Sequence, residues 1–344
     1  MRLCFVRACH VMAAVSGVVL AMGVSASEAN AQGFYENKTL SLYVGVEASS
    51  NYASYGRLVG QYIAKHIPGN PTVVVRFMPG AATLVLANYL YNVAPKDGTA
   101  IGLIHERMGL LPLIDPKGIQ YDPLKFNWLG AASNQLSACY VWHTSSIRTI
   151  EDAKTRDVLV GGTNVGGSSE LFPRVLNDTL GTKFKVISGY RGSQEMDLAM
   201  ERGETEGRCG FGWVALKATK PDWVRDGKIR VLMQMGMKKA ADLPNVPLII
   251  DEIKDPNQKL SVEFFLSSSE MAYPFTAPPG LAAERVKTLR NAFDATMADP
   301  ELLATATTQK LDITPISGVD IEKLLVRFTA TPKPIIEPAK AWLK

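Results

Sequence analysis

The feature that most constrains how this chain can fold is an alternation of short β-rich runs with helical patterns, joined by tight turns. Residues 40–44 (LSLYV) form a strand candidate, and residues 54–66 follow with Leu58, Val59, Tyr62 and Ile63 at helical spacing. Pro68-Gly69-Asn70-Pro71 stops that helix. Residues 72–77 read as a strand, 81–93 as a helix carrying Leu84, Leu86, Leu90 and Tyr91, and 99–104 as a third strand. Such a β-α-β-α-β order with short connections predicts a mostly parallel sheet covered by helices. The second half repeats the rhythm, with strands at 138–143, 158–160, 184–187, 207–213 and 229–235 and helices at 170–180 and 194–202. A proline-rich connection (LPNVP, 243–247) follows, and the tail from Pro278 onward reads as mainly helical. The expected class is α/β, with two lobes and a ligand cleft between them at the carboxyl ends of the strands.

Ahead of this pattern stands a secretory signal. Arg2 and Arg7 precede an apolar stretch over 11–24, and Ala29-Asn30-Ala31 offers small residues at both positions a signal peptidase reads. The apolar run is shorter than the roughly 20 residues a spanning helix needs. Residues 1–31 are therefore expected to be a signal peptide cleaved after Ala31, which places the mature protein in the periplasm. Removing Arg2, Arg7 and Glu28 lowers the net charge from +4 to +3. That excess, with no Lys/Arg-rich run, gives no reason to expect a nucleic acid partner. A mature chain of about 310 residues suggests two domains. Cys139 and Cys209 remain after cleavage, and in an oxidising compartment they either pair or stay as buried thiols.

Catalytic groups are sparse. The mature chain holds His66, His105 and His143, with no pair at metal-ligand spacing and no CxxC, HExxH or GxSxG motif. No catalytic residue, cofactor or metal is expected. His66 lies in a helix's last turn, where a cation suits the dipole, and His143 ends a strand. His105 follows a strand, which puts it at a carboxyl end where ligands gather.

Three loops carry the candidate binding chemistry. Residues 161–167 (GGTNVGG) follow a strand and open a helix, so Thr163, Asn164, Gly166, Gly167 and Ser168 can present backbone N–H groups and neutral donors to an anion. The alternative is a plain turn with a serine cap. Ser49, Ser50, Asn51 and Tyr52 follow the first strand and either cap the next helix or meet a ligand. Residues 188–193 place Tyr190 and Arg191 after another strand, and an arginine there can fork onto a carboxylate. Trp213, after the strand at 207–212, is a candidate wall for the ligand, or else ordinary core.

Over essentially the whole mature chain the sequence resembles the solute-binding proteins of tripartite tricarboxylate transporters. The resemblance is carried by HIPGNPTVVVRFMPGA (66–81), NYLYNVAPKDGTAIG (88–102) and LGTKFKVISGYRGSQEMDLAMERGETEG (180–207). It continues through LPNVP (243–247) and FTAPPGLAAERVKTLRNAF (275–293). It implies a type II periplasmic binding protein fold, a small carboxylate ligand, membrane permease subunits as partners, and uptake driven by an ion gradient. It further implies ligand contact by the loops at 46–53 and 161–169, with Gly80 and Ala81 lining the same cleft. The sequence departs from the family's pattern in the first loop. Ser49, Ser50 and Ala53 stand where a Gly-Gly pair and an acidic residue are usual, and Asn164 and Gly167 replace a glycine and a serine in the second.

The domain expectation is lobe 1 at 32–132 with 263–344, and lobe 2 at 133–262. Two strands should cross between them, near 131–140 and 259–265, and closure about these crossings should trap the ligand in a monomer. Two other readings share the sequence: a ligand sensor feeding a signalling partner, since the fold alone does not fix the output, and a secreted α/β enzyme, which the absence of nucleophile-base motifs disfavours.

Overall fold

A computed structural model describes residues 33–48, 50–163 and 167–342. The signal-peptide segment, Ser49, Asn164 and Gly166 lie outside the described residues, as does the side chain of Asn51.

The chain is mixed α/β with two sheets. Strands β1 (Thr39–Val44), β2 (Thr72–Phe77), β3 (Ala100–Leu103) and β4 (Asn127–Ser133) belong to the first. The chain then passes to a second sheet made of β5 (Ser137–Trp142), β6 (Val158–Gly161), β7 (Phe184–Ile187), β8 (Gly207–Gly212) and β9 (Ile229–Met235). It returns to the first with β10 (Ala272–Ala277) and β11 (Ile316–Ser317). The orders are β11-β4-β10-β3-β1-β2 and β7-β6-β8-β5-β9.

The helices that matter below are α1 (Asn51–Tyr62), α2 (Leu84–Asn92), α3 (Ser168–Leu180), α4 (Ser193–Glu201) and α5 (Trp213–Thr219). They are followed by α6 (Pro256–Ser267), α7 (Ala283–Met297), α8 (Pro300–Thr308), α9 (Gly318–Thr329) and α10 (Lys333–Trp342).

The expected parallel β-α-β units are present: β1 pairs in parallel with β2 and β3, and β6 with β7 and β8. The sheets as wholes are not mostly parallel. β10 runs antiparallel to β3 and β4, and β5 antiparallel to β8 and β9. The cause is the route of the chain, because β5 and β10 are the strands by which it enters the second sheet and re-enters the first. β3 and β10 are buried along their whole lengths, as strands covered on both faces must be.

The crossing near 131–140 is a short link, 134–136, between β4 and β5. The crossing expected as a strand at 259–265 is instead part of α6. Val262, Phe264 and Leu266 are all buried and alternate as a strand's residues would. Local signals decide the outcome: Pro256 sits in the first turn and the Asp255 carboxylate accepts from the Gln258 N–H at 2.7 Å, a strong helix start.

A core on one side of the first sheet gathers Leu42, Val59, Phe275 and Phe293. The largest core is continuous between the sheets, from Trp128 and Leu86 to Val160 and Leu176, with Phe264 of α6 and Trp342 of α10 in it. The returning tail therefore buries itself at the junction of the two sheets. Cys139 of β5 and Cys209 of β8 form a disulfide across this antiparallel pair, so the open cysteine question is answered by pairing.

Candidate functional site

Between the sheets lies a cleft of about 390 Å³. One wall comes from the first lobe's strand ends: Tyr52 in the first turn of α1, and His105, Glu106 and Arg107 just after β3. The opposite wall is the start of α3, with Gly167, Ser168, Leu171 and Phe172. Gln135 and Ser137 of the β4–β5 crossing and Phe264, Phe265, Ser268 and Ser269 at the end of α6 close the back. Leu110, Ile114 and Ala339 of α10 complete an apolar end.

The first wall is tightly organised. The Tyr52 hydroxyl donates to Glu106 Oε2. The rings of Tyr52 and His105 stack, with centroids 5.3 Å apart and planes 13° from parallel. Tyr52 also packs on Tyr273, which stacks on Tyr55 at 3.7 Å, and the Tyr273 hydroxyl accepts from Gln135 Nε2 at 3.0 Å. Aromatic packing thus ties the wall to the crossing.

The titration of this wall follows from burial. Desolvation, assisted by the Arg107 charge, lowers the His105 pKa to about 4, so the imidazole is neutral at neutral pH. Its Nδ1 accepts from the Arg107 N–H at 3.2 Å, which leaves the proton on Nε2. Desolvation raises the Glu106 pKa to about 7, against smaller opposing effects of its own backbone and Arg107.

His105 is held from behind. Its N–H donates to Thr83 Oγ1 at 2.9 Å, and Thr83 is fully buried. Thr83 ends a turn in which Ala81, Ala82 and Thr83 have φ of 45°, 49° and 77°. Left-handed backbone at three successive non-glycine residues is strained, and such strain persists only where the surroundings hold it. Gly80 and Ala81 therefore act behind the wall, through Thr83, and are not part of the lining.

The second wall starts at the N-terminus of α3. Gly167 is the N-cap of α3 and provides no side-chain hydrogen bond, so the serine-capped plain turn is not what forms. Ser169 instead accepts from the Thr163 N–H at 3.1 Å, with the two hydroxyls 3.2 Å apart. Ser168 donates to the Gly210 carbonyl at 2.9 Å. A Cβ at Gly210 would lie 2.5 Å from the Ser168 carbonyl carbon, and its φ is +79°, so only glycine lets β8 come this close. Glu170, in the first turn, is buried, and its Oε1 has no hydrogen-bond partner among the described residues. The first loop differs. There Ser50 caps its own helix, accepting from the Ala53 N–H at 3.2 Å.

Of the residues singled out from sequence, Tyr52, His105, Gly167 and Ser168 meet in the cleft. Thr163 braces α3. Tyr190 donates its backbone N–H to the Gly162 carbonyl at 3.2 Å, so the third loop abuts the second without reaching the lining. Arg191 points to solvent, its side chain 92% exposed and 3.8 Å from Glu195. Trp213 is buried with Tyr140, Met200 and Trp223 and donates to Asp242 Oδ1 at 3.0 Å; it belongs to the core of the second lobe. Glu106, Gln135, Ser137, Phe172, Phe265, Ser268 and Ser269 are lining residues not anticipated. Glu106 follows His105 at the same strand end and was open to the same inference; the others come from the crossing, from α6 and from the buried face of α3.

Among the described residues there is no cluster of three or more His, Cys, Asp or Glu placed to hold a metal ion, and no helix long and apolar enough to cross a membrane.

The described residues thus form two α/β sheets with a cleft between them, lined by both polar and apolar side chains. The chain belongs to the tripartite tricarboxylate transporter family receptors (TctC), whose family model matches residues 57–340. It is similar to a UPF0065 protein in the gbd 5′ region of Cupriavidus necator, at 25% identity over 84% of each chain. In fold it is similar to a TctC solute-binding protein from Polaromonas solved without ligand, with a TM-score of 0.69 at 18% identity over 90% of this chain and 99% of that one. It also resembles MatC from Rhodopseudomonas palustris with bound malate, with a TM-score of 0.56 at 15% identity over 89% and 99%.

Proposed function

We propose that the protein is a periplasmic receptor that captures a small carboxylate in the cleft, closes over it and presents it to the membrane subunits of a tripartite transporter. The observation that carries this reading is the place of the α3 N-terminus in the cleft lining. The start of α3 lines the cleft at Gly167 and Ser168, and its N-cap glycine brings no side-chain hydrogen bond, whereas α1 is capped by its own Ser50. A helix start favours an anion, and Ser137 and the neutral His105 add hydrogen-bonding groups. Malate in a protein of the same fold supports the carboxylate class. The signal pattern of residues 1–31 supports the location.

Lobe 1 comprises residues 32–132 and 263–344, and lobe 2 residues 133–262, acting together as a monomer. The ligand bridges the wall at 105–107 to the start of α3, and the lobes close about the 134–136 link and α6, shifting an open population to a closed one. A thermal-shift screen of mono-, di- and aromatic carboxylates should find stabilising ligands, because a ligand that binds only the folded state raises its stability by mass action. X-ray scattering at saturation should show a smaller radius of gyration. A screen without a hit, or an unchanged radius with a confirmed ligand, would remove the capture or the closure respectively.

A further inference from the structure

Among the described residues that line the cleft, Glu106 is the only acid. Ionised, it would oppose any anion received there. The carboxyl group is held in place: its Oε2 accepts from the Tyr52 hydroxyl, and only 15% of the side chain is exposed. Tyr52 in turn stacks on His105 and packs against Tyr273. The cleft volume of about 390 Å³ lies toward the small end of the roughly 300–1,000 Å³ typical of small-molecule sites. A bound anion and the Glu106 carboxyl therefore share one small space, where charges are screened less than at the surface.

We infer that Glu106 serves the ligand as a carboxylic acid, hydrogen-bonded through its proton to a ligand carboxylate oxygen, so that capture of one anion takes up one proton. This rests on the carboxylate reading above and deepens it. The proton comes from solvent, and no other bond changes. With Oε2 accepting from Tyr52, the proton is carried on Oε1. Two carboxyl groups in one site share a proton because like charges at close range cannot both ionise. The O–H···O⁻ hydrogen bond that results is a strong one. Burial already moves Glu106 this way, raising its pKa to about 7, and a neighbouring anion raises it further. The other groups at this wall do not take the role. His105 is uncharged well above its lowered pKa of about 4. The Arg107 charge opposes the shift, but Arg107 is exposed to solvent and burial of Glu106 outweighs it. Tyr52 of α1 and Tyr273 of β10 bring hydroxyl groups. The short helix Ser268–Met271 adds the Ser268 and Ser269 hydroxyls to the lining, while its Glu270 lines a second pocket with Asn134 and Pro315. The complex then holds more protons than the free protein, so affinity rises as pH falls through the Glu106 titration.

The test is calorimetry on the mature chain with malate, adipate and benzoate at about pH 6.5 and about pH 8.5, on either side of the Glu106 titration, each in two buffers of different ionisation enthalpy. For the tightest of the three, the buffer dependence of the heat at the higher pH should show net proton uptake, up to one per ligand. Affinity should be at least about tenfold higher at the lower pH. Glu106→Gln keeps a donor in place and cannot titrate. It should bind the same ligand without proton uptake, with less than about a twofold change between the two pH values, and more tightly than wild type at the higher one. A confirmed ligand that binds wild type with no proton uptake overturns the inference while leaving carboxylate capture standing. So does an unchanged pH dependence in Glu106→Gln, which would place the proton elsewhere. If the variant does not fold, difference infrared spectroscopy of wild type at the higher pH decides, by the presence or absence of a protonated carboxyl band when ligand is added. Failure of all three anions to bind at either pH overturns both the inference and the reading beneath it, and so is told apart from the other outcomes.

Discussion

The Ser168 hydroxyl donates to the Gly210 carbonyl at 2.9 Å, which fixes the start of α3 to the central region of the second sheet. Gly210 makes the approach possible, since an added Cβ would meet the Ser168 backbone at 2.5 Å. Gly210→Ala should therefore displace the start of α3 and weaken carboxylate binding by at least about tenfold, with a stability loss of about 1–3 kcal/mol from strain at positive φ. Calorimetry and denaturant unfolding on the same preparation check both parts.

Thr83→Val removes the acceptor for the His105 N–H and leaves a buried donor unmet, at a cost of about 1–3 kcal/mol. Thr83→Ser keeps the hydroxyl and should retain most of the stability. Equal losses in the two variants, measured by urea unfolding, would mean that the hydrogen bond is not the source of the effect.

These two supports show what the sequence made legible and what it did not. The rule that ligands gather at strand ends found Tyr52, His105 and the start of α3, because the β-α periodicity of residues 40–104 and 158–187 is strong. It did not tell which way a strand-end side chain points: Trp213 and His105 occupy similar positions, yet Trp213 turns inward to Asp242. It also gave no access to the back of the cleft. Gln135, Ser137, Phe265 and Ser269 arrive through the crossing and the returning tail, whose docking depends on contacts far apart in sequence. In α6 the apolar alternation of Val262, Phe264 and Leu266 suggests a strand, and the Asp255-Pro256 helix start outweighs it.

Glu106 predicts a pH dependence of stability. Burial raises its pKa from the ordinary value of 4.5 to about 7. The folded state then binds more protons than the unfolded state between those values, so this group makes stability fall as pH rises from about 4.5 to 7 and leaves it lower above that. Glu106→Gln should flatten this decline and gain roughly 1–3 kcal/mol at pH 8 relative to wild type, with little change at pH 4. Thermal midpoints across pH 4–8 check the sign.

The second lobe contains a buried ion pair, Arg208 Nη1 to Asp197 Oδ1 at 2.8 Å, with both side chains almost fully buried. Removing one partner leaves the other charge uncompensated. Asp197→Ala should cost about 3–5 kcal/mol, read by denaturant unfolding, and lysine in place of Arg208 should not rescue fully because Arg208 also reaches the Ser193 carbonyl and hydroxyl.

The Cys139–Cys209 disulfide closes a loop of 70 residues. On the loop-entropy relation its removal should cost about 4 kcal/mol. The double Cys→Ser variant, compared with wild type with and without reductant, should reproduce the reduced protein's stability. A variant as stable as the oxidised protein would contradict a stabilising role.

The central claim is that an anion is received at the start of α3. It is tested most directly by calorimetry of one stabilising carboxylate against its uncharged primary amide, on the same wild-type protein at pH 8. The account predicts one ligand per chain for the carboxylate and binding at least about a hundredfold weaker for the amide, the loss of a charge-assisted set of hydrogen bonds. Equal affinities for the two would contradict it.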